Sequence, residues 1–162
     1  AVVLADDLID ADPPVLSQMA EVFNGTGQSV VAVQNVPRSD TKRYGIVATS
    51  DGSTSPYPMT GIVEKPKPED APSTLGVVGR YILTPRIFHH LRTIPTGSGG
   101  EIQLTDAIAA LLADEPVLAY EFTGTRYDCG AKLDYIKANL AFALKHPEVR
   151  DDLRKYLKEK GF

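Results

Sequence analysis

Short β-branched runs alternate along this chain with segments of helical spacing, and that alternation limits the possible folds more than any other feature. "SVVAVQNV", "YGIVAT", "MTGIVEK", "LGVVGRYIL" and "PVLAYEF" read as strands, with the turn-rich "SDGSTSPYP" and the proline-charged loop "KPKPEDAPST" among the connections. "DADPPVLSQMAEVFNGTG" places Val15, Leu16, Met19, Val22 and Phe23 on one helical face. Asp12 is its expected N-cap, Pro13 suits its first turn and Gly25 its C-terminus. "TPRIFHHLRTI" and "GEIQLTDAIAALLADE" predict two further helices, and another runs from Ala131 to Lys145. The last helix, "HPEVRDDLRKYLKEK", has acids first and lysines at its end, which favours its dipole. Interleaved strands and helices give an α/β class with a mixed sheet. No repeat, low-complexity tract or internal domain boundary interrupts the pattern.

At 162 residues the chain suits one domain with a real core. No apolar run approaches the roughly 20 residues that span a bilayer, so no membrane partner is expected. A net charge of -4 without a basic block speaks against nucleic acid. The single cysteine, Cys129, fits a reducing cytoplasm. The opening Ala-Val-Val-Leu reads as the tail of a buried strand with no initiator methionine, so a fragment lacking its N-terminal part is expected.

Two stretches place carboxylates at strand ends. "AVVLADDLID" ends an apolar run in Asp6 and Asp7, and "YDCGAKLDYIKANL" puts Asp128 before a helix. In open α/β sheets ligands collect beyond the carboxyl ends of strands, which points both toward one rim. Asp6 and Asp128 would give Mg²⁺ the one or two carboxylates it takes beside water and phosphate oxygens. The competing reading makes Asp128 an N-cap for the helix near Ala131.

In "VEKPKP", Glu64 could accept hydrogen bonds from sugar hydroxyls and Lys65 could meet a phosphate. Strand alternation projects these neighbours to opposite faces unless a bulge intervenes, and a solvated pair is the alternative. "GTGQS" and "TGSGGE" match neither G-x-x-x-x-G-K-[ST] nor G-x-G-x-x-G and read as plain loops. Glu101 reads as an acid in the first turn of its helix. His89 and His90 point about 100° apart on a helix, poor geometry for a shared metal. His146 precedes Pro147 at a helix break, and Cys129 reads as a small packed residue.

"LADDLID", "YGIV", "VEKPKP", "VVGRYILTP", "GGEIQLTDAI" and "YDCGAKLDYIKANL" occur in an order that resembles the bacterial UTP-glucose-1-phosphate uridylyltransferases, over essentially the whole chain. The resemblance implies a Rossmann-like nucleotidyltransferase α/β/α sandwich around a mixed sheet. It implies a reaction of UTP with glucose 1-phosphate that gives UDP-glucose and pyrophosphate, with Mg²⁺. Asp6 and Asp128 match the two metal aspartates, with Asp7 beside the first. Glu64 matches the acid on the glucose hydroxyls, and Lys65 matches the catalytic lysine on the sugar phosphate. Gly45 and Gly79 match backbone positions lining the sugar pocket, and Glu101 receives no contact.

Family members carry a G-x-G-T-R loop and uracil-reading residues in a half that does not precede Ala1. The resemblance therefore implies an N-terminally truncated chain with the sugar-phosphate and metal side, inactive alone. Such a chain is expected to form a homo-oligomer or to associate with the missing piece. A thymidylyltransferase of the same fold and a non-catalytic sugar-phosphate-binding module are the two alternatives.

Overall fold

β3 (Ser29–Asn35) is buried from Ser29 to Val33 and organises the sheet around itself. It pairs antiparallel with β6 (Leu75–Ile82) and parallel with β7 (Val117–Glu121), so the sheet is mixed, as the sequence pattern predicts. Successive strand side chains face opposite ways. Val31 and Val33 accordingly join a cluster with Ile87 of α2 (Ile87–Thr93) and with Ile108 and Leu111 of α3 (Leu104–Leu111). Val30 and Ala32 point the other way and are equally buried. α1 (Val15–Thr26) packs against β3 and β6 and brings Val15 and Met19 into the core.

The computed structural model describes residues 1–50, 52, 54–97 and 100–162. Asp51 and Ser53 of "SDGSTSPYP", and Ser98 and Gly99 of "TGSGGE", lie outside the described residues. The chain divides into two compact units, Ala1–Leu4 with Ala11–Gly124 and Ala5–Asp10 with Thr125–Phe162. The first holds a six-stranded sheet in the order β1 (Val2–Val3), β6, β3, β7, β5 (Tyr57–Glu64), β4 (Gly45–Thr49). The strands expected from "YGIVAT" and "MTGIVEK" are β4 and β5, which pair antiparallel with Gly45 opposite Glu64 in their register.

The second unit is a two-stranded antiparallel ribbon of β2 (Asp7–Asp10) and β8 (Thr125–Asp128), with α4 (Lys132–Ala143) and α5 (Arg150–Glu159). Among the described residues no helix is long and apolar enough to cross a membrane.

Several local expectations are corrected. The opening residues do not form a buried strand: Val2, Val3 and Leu4 are exposed, because β1 pairs only with β6 at the sheet edge. α1 begins after Pro14, whose ψ of 143° is extended, and no side chain caps it, so Asp12 is not the N-cap. Pro14 disfavours helical geometry at the residue before it, which keeps Pro13 outside the first turn. The helix runs through Gly25 and ends at Gly27, which adopts φ 69° and donates its N–H to the Phe23 carbonyl. α3 starts at Leu104 with Asp106 as its first-turn acid, so Glu101 lies ahead of the helix, where its carbonyl accepts the Gly97 N–H at 2.8 Å.

One surface ion pair ties α2 to the turn after α3. Arg86 Nε donates to Asp114 Oδ2 at 2.8 Å, and Arg86 Nη2 lies 2.7 Å from the same oxygen. The hydrogen bond from Arg86 holds the Asp114 carboxyl below its ordinary value, against a smaller opposing effect of desolvation. A depressed folded pKa gives a contribution that is present above the unfolded value of about 3.9 and is lost as pH falls through the folded one. Thermal melts between neutral and acid pH should therefore show a smaller acid-induced drop in Arg86→Ala than in the parent chain.

Candidate functional site

The strand end at Glu64 builds the corner that the sequence analysis singles out in "VEKPKP". Lys65 leaves β5 with φ 46°, a left-handed backbone rare for a residue with a side chain. Its N–H donates to the Tyr44 carbonyl at 3.0 Å, which holds the turn against the start of β4. The turn ends strand alternation. Instead of pointing to the opposite face, the Lys65 ammonium lies 3.4 Å from Glu64 Oε1. The lysine side chain remains 62% exposed and that of Glu64 24%, so the acid is largely enclosed while the cation reaches outward.

The other Glu64 oxygen is held from α3, where Thr105 Oγ1 donates to Glu64 Oε2 at 2.7 Å. Gly45 completes this corner. A Cβ there would stand 3.3 Å from Glu64 Oε2 and 3.4 Å from Thr105 Oγ1. The corner thus joins Gly45, Glu64, Lys65 and Thr105. Gly79 stands elsewhere on the same sheet. It is buried in β6, and its carbonyl accepts the Leu4 N–H at 2.9 Å and Arg80 Nη1 at 2.8 Å. Nothing local in the sequence announces Thr105, because its hydrogen bond spans 41 positions.

In the second unit the β2–β8 ribbon sets Asp7 opposite Asp128. The Cys129 N–H donates to the Asp6 carbonyl at 2.7 Å, which fixes the chain beyond β8 against the residue before β2. The side chains of Asp6 and Asp128 both reach Gly130. A Cβ on that glycine would lie 3.1 Å from Asp128 Oδ1 and 4.0 Å from Asp6 Oδ2. Asp128 Oδ1 accepts the Gly130 N–H at 3.1 Å, and no side chain caps α4. The helix-cap alternative for Asp128 therefore fails.

Asp7 does something different from Asp6. It is buried and takes a hydrogen bond from Arg126 Nε, while Arg126 Nη2 lies 3.9 Å from Asp128 Oδ2. Arg126 is the second residue missed in the sequence, where it sits inconspicuously in "FTGTRY".

Among the described residues no three His, Cys, Asp or Glu side chains are placed to share a metal ion. Two carboxylates beside one glycine are nonetheless a donor set that fits Mg²⁺, which fills its remaining positions with water and phosphate oxygens. The histidines take no part. His90 is buried with Nε2 3.1 Å from Asp114 Oδ2, whereas His89 and His146 are exposed. Cys129 is half-buried, its Sγ 3.8 Å from the Tyr127 carbonyl. A cavity of about 440 Å³ in the second unit is lined mainly by apolar side chains, including Leu8, Tyr135, Phe142 and Val149, and includes neither Asp6 nor Asp128.

Known proteins resemble this chain in sequence and fold. A family profile described as nucleotidyl transferase matches residues 1–144. A UTP-glucose-1-phosphate uridylyltransferase of Staphylococcus haemolyticus is 48% identical over 162 residues, which cover 100% of this chain and 56% of the relative. A crystal structure of UDP-glucose pyrophosphorylase complexed with UDP-glucose superposes with a TM-score of 0.83 at 40% identity, covering 89% of this chain and 55% of that one. The UTP-bound enzyme of Acinetobacter baumannii gives a TM-score of 0.84 at 38% identity, covering 97% and 55%. The chain thus spans about half the length of the relatives it matches.

Proposed function

Because the chain belongs to the nucleotidyl transferase family, we propose that it carries the sugar-phosphate and metal side of an enzyme that makes UDP-glucose and pyrophosphate from UTP and glucose 1-phosphate. A phosphate oxygen of glucose 1-phosphate attacks the α-phosphorus of UTP in line. The bond to the leaving phosphate breaks, and pyrophosphate departs with its electron pair. Such a transfer asks the protein mainly for positioning and charge neutralisation.

The observation that carries this reading is the Glu64–Lys65 corner, where the left-handed turn at Lys65 sets an acid and a cation side by side. Glu64 accepts hydrogen bonds from glucose hydroxyls, and Lys65 meets the phosphate next to them. A sugar phosphate presents the same two chemistries at neighbouring atoms. Gly45 lines the sugar, and the backbone of Gly79 is assigned to the same pocket on the resemblance alone. Asp6 and Asp128 are the residues that would hold Mg²⁺, which when bound supplies neutralising charge to phosphate oxygens. Asp7 is bonded to Arg126 and buried, which supports a structural role for it.

Cytoplasmic placement rests on the substrates proposed and on a single, half-buried cysteine. Apolar side chains exposed on α4, among them Leu133 and Ile136, support association with a second polypeptide.

Calorimetric titration of the 162-residue chain with glucose 1-phosphate, with and without Mg²⁺, tests the reading. Saturable binding of one ligand per chain is expected. Absence of binding in both titrations overturns the assignment of the sugar-phosphate corner.

A further inference from the structure

The "GEIQLTDAI" segment is one of those that carry the resemblance, and it contains Thr105. Its helix, α3, packs against β5 through a face that includes the buried Ala107, Ile108 and Leu111. That anchoring delivers Thr105, in the first turn, to Glu64. We propose that Thr105 is a positioning residue that fixes the Glu64 carboxylate for a sugar hydroxyl, and that Gly45 provides the clearance for it. This rests on the reading of Glu64 as the sugar acceptor.

A carboxylate offers about four lone-pair sites on two oxygens. Thr105 takes one on Oε2, and Lys65 faces Oε1. When the lysine turns to a phosphate, the threonine hydroxyl is the contact that still orients the acid. Without it the glutamate regains rotamer freedom that substrate must remove on binding.

Gly45 serves this by its size. It is not among the glycines with positive φ, so its backbone conformation suits any residue. What a side chain would change is space, since a Cβ would press on both partners of the hydrogen bond at 3.3 and 3.4 Å. The register that sets Gly45 opposite Glu64 places the smallest residue where the acid and the hydroxyl converge.

The test compares glucose 1-phosphate with inorganic phosphate, each titrated calorimetrically into the 162-residue chain and its variants. Thr105→Val is expected to weaken glucose 1-phosphate roughly tenfold, the scale of one hydrogen bond to a charged group, and to leave inorganic phosphate unchanged. Thr105→Ser, which keeps the hydroxyl, should stay within about twofold of the parent. Gly45→Ala should weaken the sugar phosphate alone, by crowding rather than by losing a donor.

Equal affinity in Thr105→Val and the parent, while Glu64→Gln binds weakly, overturns the role of Thr105 and leaves Glu64 as the sugar acceptor. A serine variant as weak as the valine one also overturns it, because packing rather than the hydroxyl would then matter. If Glu64→Gln binds as tightly as the parent, the reading of Glu64 falls and this inference with it.

Discussion

Replacing Arg126 by alanine is expected to destabilise the second unit by about 3–5 kcal/mol, the scale for breaking one side of a buried ion pair. The Arg126 and Asp7 side chains are only 9% and 7% exposed, and the guanidinium also lies near Asp128. The helices of this unit bury little of their own surface. α4 contributes one buried residue, Ala138, and α5 contributes none. Truncating the arginine strips the guanidinium from a carboxylate that remains buried, and the ribbon must either hydrate or protonate it. Urea denaturation followed by tyrosine fluorescence measures the loss, since Tyr127, Tyr135 and Tyr156 all lie in this unit. Replacing the pair together, as Asp7→Leu with Arg126→Met, should cost much less, because no buried charge is left behind. A loss below about 1 kcal/mol in Arg126→Ala would instead class the pair with exposed salt bridges.

The same pair shows where sequence reading reaches and where it stops. Strand positions were legible because β-branched runs between turn residues carry their own signal, and β3 to β7 lie where those runs predict. The α1 face was legible for the same reason: Val15 and Met19 repeat at helical spacing and are buried. Its ends were misread, because two prolines and two glycines offered competing boundaries and backbone sterics chose between them.

At the candidate site strand alternation ends at Glu64, because Lys65 has left the strand. Only the following Pro66 hints at a break there. Asp6 and Asp128 could be named from residue type and from resemblance. Their meeting at Gly130 depends on the β2–β8 register, a pairing across nearly the whole chain that no local pattern encodes. Thr105 and Arg126 were invisible for the same reason.

Lys65 should give the sharpest separation of stability from binding. A lysine at φ 46° carries backbone strain on the order of 1 kcal/mol, which glycine would not. Its side chain is 62% exposed, so its 3.4 Å contact with Glu64 repays little of that strain. On the function proposed above, contact with the phosphate is what offsets that conformational cost. Lys65→Gly should accordingly raise the urea midpoint slightly, the relief of strain exceeding glycine's extra unfolded-state entropy by at most about 0.5 kcal/mol, while weakening glucose 1-phosphate by roughly thirtyfold. Lys65→Ala should lose the same affinity without the gain in stability, because alanine keeps the Cβ that makes the turn unfavourable. At an effective dielectric of about 20, a cation ~4 Å from a phosphate is worth ~4 kcal/mol per unit charge before desolvation. Exposure and desolvation reduce that to the thirtyfold expected here, and the loss should shrink as salt is added. If both variants bind as tightly as the parent, the strain at Lys65 does not serve the phosphate, and the sugar-phosphate corner must be reassigned.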